Sequence, residues 1–356
     1  MTVPGETNSI VDVGGVLVGH DHRLDPPFLT GCTVLRFPDG AVAGVDARGG
    51  APGTRETDLL DPRNLVDRVH AIVLTGGSAY GLDVCGGVMQ LLEQEHTGFR
   101  VGADPAEVVP IVPAAVVFDL GRGGDFGARP DASFGRRAAA AASSAPFAQG
   151  NAGAGAGAAA GTMKGGVGSA SEVLACGVTV AALVVVNAGG SVVDPLRGTL
   201  YGIEHGLDAE FAGLREPDAA DVAGAVEPAE QAGRLLANTT IGVVATDALL
   251  TKVECQKMAG VAHDGLARAV RPAHTYYDGD TIFAAATCRT DLPGSDPGDP
   301  AGVARSERAR LLGIVFEAGA RAFARAVAHA VLEAESVPGL QSYRDRYPSA
   351  VTRGPR

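Results

Sequence analysis

The stretch LLANTTIGVVATDALL, Leu235 to Leu250, sets a bare Asn238-Thr239-Thr240 between a polar segment and an apolar run that reads as a buried strand. Upstream, residues 191–237 are rich in Ala, Glu and Asp, hold few large apolar groups, and read as a surface linker or mobile insertion. Downstream, Thr251 with Glu254 makes a capping box, and Val253, Met258, Val261, Ala262, Leu266 and Ala269 follow at helical spacing. That helix is expected to stop before Pro272. The turn YYDGD leads into a strand, TIFAAAT, then a loop over Pro293 to Pro300. A long helix follows, carrying Leu311, Leu312, Val315, Phe316, Phe323, Val327 and Val331. From Thr239 onward the order is therefore β-α-β-α, a compact unit whose first residue is Thr239.

Toward the amino terminus, CTVLRF, AVAGVDA and AIVLTGG are strand candidates, and SAYGLDVCGGVMQLLEQE keeps a helical stripe through Leu82, Val88, Leu91 and Leu92. The runs PIVPAAVVFDL and GVTVAALVVVNAGG read as core strands. This rhythm belongs to a mixed α/β protein, and 356 residues fit one large domain, 1–356. With 46% hydrophobic and 20% charged residues the chain can bury a sizeable core. A net charge of -12 without any Lys/Arg-rich run argues against nucleic acid or an anionic membrane as partner. No basic, apolar leader and no run of about 18 apolar residues is present, so a cytoplasmic location is expected. Five cysteines scattered singly suit neither a disulfide framework nor a zinc cage, and are expected as small buried apolar residues.

A threonine that begins a core strand after dispensable sequence suits an enzyme that cuts its own backbone and exposes that residue as a new amino terminus. A free α-amine, with an ordinary pKa of about 7.7–8.0, can serve as base for the hydroxyl beside it. A plain loop-to-strand junction explains the same residues. Glycosylation of the Asn238-Thr239-Thr240 sequon does not fit a chain lacking a secretion signal. The glycines around Lys164 lack P-loop spacing and read as close backbone approach beside a site. The segment around Ser78 lacks the second glycine of a nucleophile elbow. Ser78 reads either as a helix cap or, with Tyr80, as pocket lining. Arg55 to Asp58 read as substrate anchor or internal salt bridges. The histidines form no metal-binding motif, and no cofactor or metal is expected.

The chain resembles the DmpA-type peptidases, the P1 or S58 family. The motifs that carry this are GVLVGH, TGCTVL, GGAPGTRETDLL, LTGGSAYGLD, PIVPAAVVFDL, GNAGAGAG, GGVGSAS and NTTIGVVATDA. The resemblance implies an α/β/β/α sandwich like that of DmpA and ornithine acetyltransferase. It also implies self-cleavage between Asn238 and Thr239 into chains 1–238 and 239–356, a homo-oligomer of two-chain protomers, and small-molecule or short-peptide amide substrates. Thr in place of the family's more familiar Ser looks like the pantetheine-hydrolase branch. By the same resemblance Asn187, in VVVNAGG, supplies the oxyanion donor, although a turn-forming Asn before Gly-Gly is the plainer reading.

Three positions depart from the family pattern. Phe118 stands where better-known members carry a Tyr, so it can only shape a pocket. Gly279 and Thr281 stand where a Ser and an acidic residue line the site, with Asp280 between them. Asp280 or Thr281 is then the candidate for orienting Thr239, with an Asp-Gly turn as the competing view. Acyl transfer to an amine, as in ornithine acetyltransferase, and a non-catalytic scaffold are the alternatives to hydrolysis.

Overall fold

The structure, a computed structural model, describes residues 2–225, 238–292 and 303–351. Nine strands make one mixed sheet: β1 (Leu17–Arg23), β2 (Thr30–Ala47), β3 (Thr54–Arg55), β4 (Arg68–Thr75), β5 (Ala114–Val116), β6 (Gly166–Val173), β7 (Thr179–Asn187), β8 (Thr239–Ala248) and β9 (Thr281–Thr290). Their order is β6-β7-β8-β9-β2-β4-β5-β3, with β1 pairing β2. Four helices cover the sheet: α1 (Val84–Gln94), α2 (Ala132–Ala140), α3 (Lys252–Ala269) and α4 (Val303–Leu332). β8 and β9 are parallel, with α3 as their crossover, whereas β7–β8 and β9–β2 are antiparallel. The expected β-α-β-α tail is thus present.

Three buried clusters separate four layers. Val180, Ala182, Val184 and Val186 of β7 pack with Met258, Leu266, Phe323 and Val327 of α3 and α4. The alternate residues Ala181, Leu183 and Val185 face the other way and meet Leu35, Ile72 and Leu74 from the β2–β4 half. The opposite residues of that half, Val34, Ala71 and Val73, pack with Val84, Val88 and Phe134 of α1 and α2. Period-two alternation therefore sends each strand's side chains into two different cores. The result is helix, sheet, sheet, helix, as the resemblance implied. Close approach has a glycine requirement at β6, where a Cβ on Gly168 would fall 2.1 Å from the Ala326 carbonyl oxygen of α4.

Local sequence chemistry explains most of these elements. The Thr251 hydroxyl accepts from the Glu254 N–H, and the Glu254 carboxylate accepts from the Thr251 N–H, so the expected box starts α3. That helix ends at Ala269, before Pro272. Other expectations need correction. The two candidate strands CTVLRF and AVAGVDA are one, β2, with a register shift between Arg36 and Ala41 that carries the chain through Pro38-Asp39-Gly40. PIVPAAVVFDL yields only three strand residues, because Pro110 and Pro113 lack the N–H a ladder needs. Of the cysteines, Cys32, Cys85 and Cys255 are buried, but Cys176 is exposed in the turn before β7.

The loop expected at Pro293 to Pro300 lies outside the described residues, as does the 226–237 part of the expected linker. The described part, 191–225, packs Val192, Val193 and Leu200 into the core beneath α3 and α4.

Candidate active site

Thr239 opens β8, 6% exposed, directly opposite Asn187 at the end of β7. The Thr239 hydroxyl donates to the Asn238 carbonyl oxygen at 2.5 Å. The Gly279 N–H donates to both of those atoms, to Asn238 O at 3.1 Å and to Thr239 Oγ1 at 3.2 Å. One backbone donor therefore serves the hydroxyl and the carbonyl next to it. Gly279 has to be glycine, since a Cβ there would lie 2.8 Å from Thr239 Oγ1 and 2.7 Å from the Ala51 oxygen.

Asp280 is buried. One carboxylate oxygen accepts from the Thr240 N–H at 2.7 Å; the other accepts from the His274 N–H at 3.1 Å and meets His274 Nδ1 at 2.8 Å. It thus fixes the residue after Thr239 without touching the Thr239 hydroxyl. Thr281 turns its hydroxyl onto the Gly279 carbonyl at 2.9 Å, which braces the donor loop. His274 has left-handed backbone, φ 57°, whereas Asn238 and Thr239 do not. Its ring sits edge-on to His263, with centroids 4.7 Å apart. Burial pulls His263 down to about 4, partly opposed by its bond to the Asp46 carbonyl.

Asn187 is fully buried and its amide orientation is fixed. Its Oδ1 accepts from Arg122 Nη1 at 2.5 Å and from the Ala159 N–H at 3.0 Å, and its Nδ2 donates to the Phe118 carbonyl at 3.2 Å. One amide N–H is left without an acceptor among the described residues. Arg122 also donates through Nη2 to Asn238 Oδ1 at 3.0 Å, so a single guanidinium ties the two asparagines on either side of Thr239. Burial lowers Arg122 to about 10, opposed by Asp119. Asp119 is pushed up by burial and receives the Thr30 hydroxyl and the Gly77 N–H. Lys164, fully buried, donates to the Gly155 and Gly165 carbonyls at 2.7 and 2.8 Å, and burial pulls it down to about 7.

The structure brings Thr239, Asn238, Asn187, Asp280 and Thr281 together. Phe118 joins them through its carbonyl, while its ring lies 5.8 Å from the Arg122 guanidinium. Ser78 borders this segment, its N–H donating to the Val117 oxygen at 3.0 Å. Tyr80 is exposed, with the Arg129 guanidinium 3.7 Å above its ring, and has no described contact with Thr239. Arg55 and Glu56 form no ion pair among the described residues; Glu56 instead accepts from the Val112 N–H. Sequence reasoning missed Arg122 and His274. No group of three or more His, Cys, Asp or Glu among the described residues is placed to hold a metal. No helix there is long and apolar enough to cross a membrane.

The four-layered arrangement of helix, sheet, sheet and helix is the fold of solved peptidases described as a variant of the Ntn hydrolase fold. The chain matches the model of peptidase family S58 over residues 8–344 and belongs to that family. It is 50% identical over 351 residues to an uncharacterized aminopeptidase of Mycobacterium tuberculosis, covering 96% of this chain and 99% of the relative. A 6-aminohexanoate-oligomer endohydrolase of Kocuria sp. is 36% identical over 305 residues, 82% of this chain and 78% of that protein. Among solved structures, a Burkholderia sp. beta-aminopeptidase superposes with a TM-score of 0.67 at 25% identity, over 99% of this chain and 97% of that one. The L-aminopeptidase D-Ala-esterase/amidase of Ochrobactrum anthropi, described as a variant of the Ntn hydrolase fold, gives a TM-score of 0.67 at 21% identity, over 98% and 96%. That last likeness concerns fold alone.

Proposed function

We propose that the protein cuts itself between Asn238 and Thr239 and then hydrolyses small amides through the newly terminal Thr239. The observation that carries this is the Thr239 hydroxyl 2.5 Å from the Asn238 carbonyl oxygen, with the Gly279 N–H shared between them. In self-cleavage the Thr239 oxygen attacks the Asn238 carbonyl carbon, and the developing oxyanion is met by a donor already in place. The C–N bond then breaks, the nitrogen gains a proton as the Thr239 α-amine, and water opens the resulting ester to the Asn238 carboxylate.

In turnover the α-amine takes the hydroxyl proton as Thr239 attacks a substrate amide. The same proton passes to the departing amine. Water then releases the acid from the acyl-enzyme and restores the hydroxyl. Asn187, directly across from Thr239, is the second oxyanion donor through its remaining N–H. Asp280 and Thr281 are positioning groups, one holding Thr240 and the other holding the Gly279 loop.

The named relatives, aminopeptidases and an aminohexanoate-oligomer hydrolase, support amides whose acyl part bears an amino group. The functional unit in this reading is a cytoplasmic homo-oligomer of two-chain protomers. Incubation with an activated ester and digestion tests the nucleophile. An acyl adduct on the peptide beginning at Thr239 is expected, and an adduct confined to any other residue overturns the assignment.

A further inference from the structure

In self-cleavage the acyl group passed to Thr239 Oγ1 is Asn238; in turnover it is the acyl part of the substrate, on the same atom and beneath the same donor. The space around the Asn238 side chain is therefore an imprint of the substrate's acyl subsite. This argument rests on the self-processing reading above. Asn238 is 3% exposed, and its side chain has three recognisable walls among the described residues. Arg122 Nη2 donates to its Oδ1 at 3.0 Å. Gly189 presents no side chain: a Cβ built there would lie 3.2 Å from Asn238 Nδ2 and 3.2 Å from Asp278 Oδ1, so both atoms border one small space.

The third wall is Asp278, 2% exposed and paired with Asn238 through a parallel bridge. Its Oδ2 accepts from the Thr275 N–H at 2.8 Å, and its main-chain oxygen accepts from the Ala51 N–H at 2.8 Å. Its Oδ1 is buried and has no hydrogen-bond partner among the described residues. A buried carboxylate oxygen without a donor is costly, and such orphans in native proteins call for a specific role. A cationic amine on the acyl group satisfies it. Asn238 Nδ2 is the fourth atom from its own carbonyl carbon, counting Cα, Cβ and Cγ, and a 4-aminobutanoyl group sets its nitrogen at that same place.

We propose that Asp278, Gly189 and Arg122 form the acyl subsite, in which Asp278 Oδ1 receives the amino group of a γ-amino acyl amide. The test compares glycyl, β-alanyl, 4-aminobutanoyl and butanoyl p-nitroanilides, with uncatalysed rates subtracted, on wild type, Asp278→Asn and Gly189→Ala. In wild type, kcat/KM is expected to rise from glycyl to 4-aminobutanoyl and to exceed butanoyl by about tenfold or more, as a charge-assisted pair gives. Asp278→Asn collapses the ratio of 4-aminobutanoyl to butanoyl.

Should that variant block processing, Gly189→Ala carries the test by penalising 4-aminobutanoyl more than glycyl. Equal wild-type rates for 4-aminobutanoyl and butanoyl overturn the proposal. So does an Asp278→Asn variant that slows all four substrates alike, since Asp278 would then serve the Thr239 amine instead. The intact mass of each preparation separates the two levels. An uncut wild-type chain refutes the self-processing reading, whereas a cut, active enzyme without the amine preference refutes only the subsite.

Discussion

Replacing Gly279 by alanine probes the shared donor without removing any functional group. The added carbon would stand 2.8 Å from Thr239 Oγ1, 3.2 Å from Thr239 Cγ2 and 2.7 Å from the Ala51 oxygen. An ordinary carbon–oxygen contact is about 3.4 Å, so relief requires about 0.6 Å of movement on the Thr239 side of the loop and about 0.7 Å on the Ala51 side. Gly279 does not use left-handed backbone, so alanine meets no φ penalty and the effect is one of placement alone. A shift on the order of 1 Å at the reacting atoms costs about 10²-fold, and displacing an oxyanion donor costs about 10²–10³-fold. Gly279→Ala is therefore expected to slow self-cleavage, and kcat of any processed fraction, by about 10²-fold.

Overpacking of this kind costs the fold about 1–3 kcal/mol, which leaves the chain folded. Fragment appearance followed by denaturing mass spectrometry, amide hydrolysis and a thermal melt together read the three quantities. A Gly279→Ala chain cut at the wild-type rate, with kcat within about twofold of wild type, refutes the shared-donor argument.

Three more expectations follow from other parts of the molecule. Arg122→Lys keeps the charge but cannot fork between Asn187 and Asn238; self-cleavage should slow by about tenfold or more, while unaltered processing would remove Arg122 from the site. Glu210 lies before the proposed cut and Arg325 and His329 after it, so their pairs, at 2.7 and 2.6 Å, would hold the two chains together. Glu210→Gln strands the Arg325 charge and should cost about 3–5 kcal/mol in urea melts. Burial alone would raise Glu210, but bonds from His329 and Arg325 more than offset it and hold the carboxyl near 2. Its contribution is present above the ordinary carboxylate value and lost as pH falls through the folded one. His263 behaves oppositely, as a base lowered by burial from 6.5 to about 4. Between those values the unfolded chain binds a proton that the folded chain refuses, so stability falls as pH drops from 6.5 toward 4, by about 1–3 kcal/mol. A His263→Gln chain with an unchanged slope of unfolding free energy against pH in that window contradicts this.

Elements built from local signals were legible in the sequence. The box at Thr251 and Glu254 starts α3, and the unbroken apolar run ending at Asn187 is a strand covered on both faces. Where one residue's neighbours override its own preference, the reading failed. Pro38-Asp39-Gly40 looks like a break, yet β2 passes through it because β4 and β9 pair with the two ends. The candidate site divides in the same way. Thr239 and Asn238 were visible as a polar pair at the head of a strand. Arg122 was not, because its partners Asn187 and Asn238 lie 65 and 116 residues away in sequence. Asp278 and Asp280 flank Gly279 in a DGD that reads as a turn. Only the register against Asn238 and Thr240 gives the two carboxylates their separate tasks. His274 gave no signal beyond a lone histidine before a turn.

The central claim is that Thr239 cuts the chain that carries it. The denatured intact mass of freshly purified protein, beside Thr239→Ser and Thr239→Ala, tests it most directly. Wild type and Thr239→Ser should each give two fragments meeting at Asn238 and residue 239, and Thr239→Ala a single chain of about 35.9 kDa. A wild-type preparation that hydrolyses amides as one uncut chain would contradict the account.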